Sequence, residues 1–321
     1  MGSAFKLGFL THLDGAGKDE GTLLKELFDV FTAAEAFGFD GGWVAQHHVR
    51  ADYGRRASPM VSFGALASRL PRFRLGTAMI VLPMENLTPD SSSHGAFELG
   101  LGTGGPNEAF GVFGLDPANR RALFDERLGA LRSALRGEPK PGGDHILRPP
   151  APTADGRLWQ STGDLERAAV IGEVGDGLLL GTAGHDPYTG QRPLANAYLS
   201  GARRPRFGIV RTVFPAEDRK AARDELVSAV AVHRENLTRR GLTDVAALST
   251  EEYLDRLNVH RGTTSEVIES LYADPALLGY LNADSWFLPV VRHGHSAAEP
   301  AIERLRLIAT EIAPALGWWR T

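Results

Sequence analysis

Eight apolar runs of strand character alternate along this chain with segments whose apolar residues recur at helical spacing, and that alternation leaves few folds open. "AFKLGFLTH" opens the series. "TLLKELFDVFTAAEAFG" follows, with Leu23, Leu24, Leu27, Val30, Phe31 and Ala34 on one helical face before Gly38 stops it. "FDGGWVAQ" and "FRLGTAMIVLP" are the second and third strands, with "PMVSFGALASRL" as the helix between them. Then come "AFELGLG", the helix "NRRALFDERLGALRSAL", the strand "RLWQST", the helix "DLERAAVIGEVG" and the strand "GLLLGTA". "RFGIVRTVF", the helix "AARDELVSAVAVHRENLTRR", "SWFLPVV" and a closing helix "AEPAIERLRLIATEIAPAL" complete the set. Strands that are apolar on both faces suit an α/β (β/α)8 TIM barrel better than an open doubly wound sheet.

Two stretches depart from a regular barrel. Residues 241–284 form a surplus insertion before strand eight, broken by "DPALLGYLNAD", which reads as a lid or side wall within one domain spanning residues 1–321. Between strands three and four, "LTPDSSSHGA" holds Pro89 and three serines, a composition that predicts a shortened or missing third helix.

Composition excludes several function classes. With 43% hydrophobic and 23% charged residues the chain can bury a large core. Its 35 basic and 39 acidic residues are interspersed, for a net charge of −4, so no nucleic-acid surface is expected. No apolar run approaches the roughly 18 residues of a membrane span, and no leader pattern opens the chain, which points to a cytoplasmic protein. Zero cysteines exclude disulfides, thiolate catalysis and iron–sulfur clusters, so redox chemistry would need an organic cofactor.

In a barrel the reacting groups stand at the carboxyl ends of the strands. Those ends carry Thr11 and His12, Gln46 to His48, Leu82 and Pro83, Gly102 to Gly104, Gln160 to Gly163, Thr182 and Ala183, Arg211 and Thr212, and Arg292 and His293. The set is rich in Gly, Ser, Thr and His and poor in carboxylates, which argues against a paired-carboxylate glycosidase or a divalent-metal site. His47 and His48 are neighbours on an extended segment and point to opposite sides, so one can face the mouth while the other packs away. A single histidine at a strand end more often serves as a hydrogen-bonded packing residue than as a catalyst. No HExxH motif occurs, and His293 and His295 lack nearby carboxylates, so no metal is expected. "GLGTGG" fits G-x-G-x-x-G formally, but "GGPNEAFGVFG" follows it with no helical period and no acidic ribose ligand, against a dinucleotide fold. These glycines instead allow a close backbone approach to a flat or anionic ligand.

"FGFDGGWVAQHH…YG…ASPMVSFGALASRLPRFRLGTAMIVLP", "FELGLGTGG", "FGVFG…NRRALFDERL" and "IATEIAPALGW" together resemble the bacterial luciferase-like family of flavin-dependent monooxygenases. The resemblance spans the chain, with little motif content over residues 184–284. It implies a single (β/α)8 barrel that acts on a small organic substrate with O2 and reduced FMN, supplied by a separate flavin reductase. The deazaflavin F420 serves a dehydrogenase branch, and a non-catalytic flavin-binding barrel is a further alternative. A homodimer is also implied. By position, His47 matches the family's active-site histidine, a general base or a hydrogen-bond donor to the oxygenated flavin. Ala78 and Met79 match the strand-three dipeptide beneath the flavin ring, often joined by a cis peptide. Arg121 matches a phosphate-binding arginine, and Ser161, Thr162 and Gly163 resemble the phosphate loop before a helix. After strand four, where luciferases carry an arginine, this chain has Thr103, so the resemblance implies that one phosphate or ring contact is missing or replaced.

Overall fold

In the computed structural model, each tryptophan inside the barrel stands directly across the ladder from a glycine. The structure describes residues 3–12, 18–45, 59–85, 97–104, 107–139, 143–144, 146, 150–181, 186–239, 244, 247–292 and 297–320. Its strands are β1 (Lys6–Leu7), β2 (Leu10–Thr11), β3 (Gly41–Val44), β4 (Arg74–Thr77), β5 (Ile80–Val81) and β6 (Phe97–Gly102). They continue with β7 (Leu158–Gln160), β8 (Gly177–Leu180), β9 (Phe207–Pro215), β10 (Val259–Gly262) and β11 (Trp286–Val290). β1 and β2 are two halves of the first barrel strand, and β4 and β5 of the third. β11 pairs with β1 and β2 on one side and with β9 on the other, so an all-parallel eight-stranded barrel closes. The expected (β/α)8 barrel is the observed fold.

Trp43 pairs with Gly76, Trp159 with Gly177 and Trp286 with Gly208. A Cβ at Gly76 would stand 2.2 Å from the Trp43 ring, and one at Gly177 would stand 2.1 Å from the Trp159 ring. The Trp43 and Trp159 indoles therefore fold over strand positions that carry no side chain, while Leu179 covers Gly208. Trp43 meets Trp159 edge-on at 5.6 Å and Trp286 at 6.1 Å between centroids. With Leu179, Val210 and Leu288 they fill the barrel interior.

A second, larger core lies between the strands and the surrounding helices. The helix Glu20–Phe37 shows how the sequence builds it. Asp19 caps its first turn by accepting from the Thr22 amide at 3.0 Å, and Gly38 ends it at φ +92°. Leu23, Leu27, Val30, Phe31 and Ala34 are buried as the spacing predicts.

Several elements differ from the sequence reading. "PNEAFGVFG" shows no helical period, yet Asn107–Val112 is a short helix. Six residues are too few to display a period. The helix Arg192–Gly201, which buries Leu194, Ala195 and Tyr198, follows a π turn at Pro187–Gln191 that obscures its start. The surplus segment contains β10, which extends the sheet beside the carboxyl half of β9, between the helices Thr250–Arg256 and Thr264–Tyr272. Both helices open on capping boxes, Ser249 with Glu252 and Thr263 with Glu266. Tyr253 and Leu254 pack there with Phe214, Leu226 and Val230 in a small core of their own. The stretch over residues 87–96, where the third helix was expected to be shortened or missing, lies outside the described residues.

Candidate active site

The carboxyl mouth is shaped by an irregularity in the third barrel strand. Gly76 pairs with Glu98 and Ile80 with Leu101, so the third strand spends one residue more than β6 over the same span. The Ala78–Met79 peptide within that span is cis, as the family resemblance implies. Thr77 replaces the missing ladder bonds, its hydroxyl donating to the Gly100 carbonyl at 3.0 Å and accepting from the Gly100 amide at 2.9 Å. Ala78 and Met79 emerge half-buried on top of the indole layer.

The glycines of "GLGTGG" first make room for this turn. A Cβ at Gly100 would stand 1.9 Å from the Thr77 carbonyl oxygen, and one at Gly102 would stand 2.7 Å from Met79 Cε. Their immediate neighbours are thus parts of the same chain, Thr77 and Met79. Thr103 follows, half-buried, and Gly104 turns at φ +84°.

The next strand ends beside this one, since Leu101 pairs with Gln160. Ser161 and Thr162 are half-buried and Gly163 is exposed. Thr162 Oγ1 accepts from the Asp164 amide at 3.0 Å, and Asp164 Oδ1 accepts from the Arg167 amide at 2.8 Å, capping the helix Leu165–Glu173. An anion at this helix start would have to meet the Ser161 to Gly163 segment, because the cap already holds an amide of the first turn. Met79, Thr103 and Ser161 therefore follow three adjacent barrel strands.

Arg121 is exposed on the first turn of the helix Arg120–Arg136. Its neighbour Arg120 turns inward. Arg120 Nη1 donates to the Gly104 carbonyl at 3.0 Å, Nε donates to the Pro117 carbonyl at 2.9 Å, and the guanidinium lies 4.9 Å above the Phe110 ring. Sequence reasoning missed Arg120 and Thr77. The doubled "NRR" and a threonine ending an apolar strand were the available signals.

Other expected mouth residues face elsewhere. Gln160 points outward, donating to Asp176 at 2.5 Å and accepting from Arg167 at 3.0 Å. Burial pushes the Asp176 carboxyl upward, against the pull of Arg132 at 2.6 Å. Arg211 is not at the mouth at all, because β9 runs on to Pro215 and Arg211 is fully buried against Asp274, Nε to Oδ2 at 2.6 Å. Arg292 is held by Glu26 at 2.5 Å. His47, with Gln46 and His48, lies outside the described residues, as do Thr182, Ala183 and His293. Among the described residues no cluster of three or more His, Asp or Glu side chains could hold a metal ion.

These features fit a flat, phosphate-bearing cofactor. For such a group Met79 would be the apolar floor and Thr103, Ser161 and Thr162 would be the hydroxyl donors, and the space a Cβ would take at Gly181, directly after β8, is open to 4 Å. Among the described residues no helix is long and apolar enough to cross a membrane.

The profile of the luciferase-like monooxygenases matches residues 5–279. The 4-hydroxyprotoasukamycin monooxygenase of Streptomyces nodosus subsp. asukaensis is 30% identical over 138 residues, covering 40% of this chain and 37% of that protein. The chain thus aligns with little more than a third of this curated relative's length. The oxygenating constituent of 3,6-diketocamphane monooxygenase from Pseudomonas putida, solved with FMN, superposes with a TM-score of 0.74 at 16% identity, covering 97% of this chain and 98% of that one. The coenzyme F420-dependent tetrahydromethanopterin reductase of Methanopyrus kandleri superposes with a TM-score of 0.65 at 15% identity, covering 98% and 99%. The fold is thus shared by proteins that use a flavin and by proteins that use a deazaflavin, and by the match of its profile across most of its length, this chain belongs to the luciferase-like monooxygenase family.

Proposed function

We propose that the protein oxygenates a small organic substrate with O2 and reduced FMN, the cofactor standing on the Ala78–Met79 step at the carboxyl mouth. The observation that carries this reading is a half-buried Met79 on the indole layer, with Thr103 and Ser161 directly past the ends of the next two strands. A bound reduced flavin supplies the electrons and the site of oxygen activation. The chain's own residues orient and enclose it. Met79 offers a polarizable apolar face to the ring. Ser161, Thr162 and the exposed Arg121 supply donors to the phosphate. The tryptophan-filled interior closes the floor to water, which protects reactive oxygen chemistry from hydrolysis. In this reading His47 gives or takes the proton at the reacting edge, and a separate reductase delivers the reduced cofactor as a diffusible partner. The proposal further includes a single domain, a cytoplasmic location and assembly as a homodimer.

The F420 branch is the second reading, supported by the shared fold with the Methanopyrus reductase. Anaerobic titration with reduced FMN and with reduced F420, followed by mixing with oxygenated buffer, separates the two. Binding and rapid oxidation of reduced FMN, with no binding of F420, is the expected result. Tight F420 binding without FMN binding would replace oxygenation by hydride transfer. In the same assay His47→Ala should lower turnover while leaving flavin affinity nearly intact, and His48→Ala should act on stability instead; the reverse pattern would exchange their roles.

A further inference from the structure

The opposite end of the barrel holds a cavity of about 480 Å³, floored by Trp159 and Trp286. Basic side chains from the amino ends of the strands converge on it. Lys6 begins β1, Arg74 begins β4, Arg157 directly precedes β7 and Arg206 directly precedes β9, while Arg203 and Arg204 approach along the same loop as Arg206. Only three carboxylates line the same space.

Two of those carboxylates are already engaged. Glu98 accepts from Trp159 Nε1 at 2.8 Å and from Arg74 at 3.1 Å. Asp284 meets Arg204 at 3.2 Å and Lys6 at 3.9 Å. The third, Glu173, joins no ion pair among the described residues. Arg206 is immobilised, donating to the Gly175 carbonyl at 3.1 Å with its guanidinium 4.9 Å above the Trp159 ring. Arg157 and Arg203 have no ion-pair partner among the described residues, and Arg157 Nη1 is buried with no hydrogen-bond acceptor. A buried charged donor without an acceptor is costly, and most such groups in folded proteins are satisfied.

We propose that this cavity binds a compact oxyanion with two or more negative charges, of phosphate or carboxylate type, at a site separated from the carboxyl mouth by the indole layer. The planar guanidinium of Arg157 suits bidentate contact with such a group. Arg206, fixed against the indole, offers a preformed wall, and Trp159 and Trp286 form the floor beneath Arg206 and Lys6. Burial and the neighbouring Arg74 and Arg206 charges push the Lys6 and Arg157 groups downward, a crowding of positive charge that a bound anion relieves.

The test is titration of the whole protein with sodium phosphate and, separately, sodium citrate, against sodium chloride at equal ionic strength. Tryptophan emission and thermal melting are the readouts. A saturable emission change with a rise in Tm is expected for phosphate, citrate or both, and the arm that saturates at lower concentration assigns the anion type. Arg157→Gln and Arg203→Gln should each weaken binding about tenfold or more. Arg121→Ala, at the other mouth, should leave it unchanged. Arg203 is exposed, so its replacement carries the test even if Arg157→Gln folds poorly. Equal responses to chloride, or unaltered binding in both glutamine variants, would overturn the proposal.

Discussion

Gly102 and Met79 face one another so closely that a Cβ on Gly102 would stand 2.7 Å from Met79 Cε. The last residue of β6 thereby sets where the methionine under the proposed flavin can lie. Because the obstructing atom is the end of a flexible side chain, Gly102→Ala should fold normally and push Met79 toward the mouth. We expect FMN affinity to fall about tenfold, or about 1.4 kcal/mol, with an unchanged circular dichroism spectrum. Fluorescence titration measures the loss, and unchanged affinity would separate Met79 from the cofactor.

The tryptophan–glycine pairs make a stability prediction that does not depend on function. At Gly76 and Gly177 the obstructing atoms are rigid rings, 2.2 and 2.1 Å from an added Cβ. Gly76→Ala should destabilise the protein by at least about 1–3 kcal/mol, the usual range for overpacking. Trp43→Phe in the same background should recover part of that loss, because the smaller ring vacates the contested space. Urea unfolding of the single and double variants checks both statements, and simple additivity would refute the contact.

Arg211 and Asp274 form a fully buried ion pair, also bonded to Asn258 and near His260 Nε2 at 3.5 Å. Asp274→Ala should cost about 3–5 kcal/mol by stranding the Arg211 charge, whereas a paired change to apolar residues should cost much less. Chemical denaturation of the single and paired variants would measure the difference.

The same cluster predicts acid sensitivity. Burial raises the Asp274 carboxyl, but the His260 ring close by, the hydrogen bonds from Arg211 and the Arg211 charge outweigh it and hold the group well below the usual carboxylate range. Burial lowers His260, although Asp274 opposes it. In both cases the unfolded chain takes up protons first as the pH falls, so acid favours unfolding. Stability should decline as pH drops below about 6.5, through His260, and further below about 4, through Asp274. Melting temperatures of His260→Gln between pH 5 and 7 should show a flatter slope than the parent, and an identical slope would remove His260 from the account.

Arg121 and Arg120, adjacent in sequence, should behave differently. If Arg121 reaches only the phosphate, Arg121→Ala should weaken FMN about tenfold or more and leave riboflavin binding alone. Arg120→Ala, which frees the Gly104 carbonyl and the Phe110 ring, should weaken both ligands together by loosening the loop after β6. Calorimetric titration with the two ligands distinguishes the variants.

The barrel and its helices were legible in the chain because strand and helix periods are local properties. Phe31 and Val30 announce a buried helix face whatever surrounds them, and Asp19 and Gly38 mark its ends. The cis step at Ala78–Met79 was anticipated from the family motif alone, since no periodicity distinguishes it. What only the tertiary structure decided depends on pairing between distant segments. No local rule places Trp43 opposite Gly76, turns Arg211 inward to Asp274 sixty-three residues away, or aims Arg120 rather than Arg121 at Gly104. Nor does one gather Lys6, Arg157 and Arg206 around a single cavity. Side-chain direction at a strand end follows from where the strand stops and which neighbour it meets, and register between strands sets both.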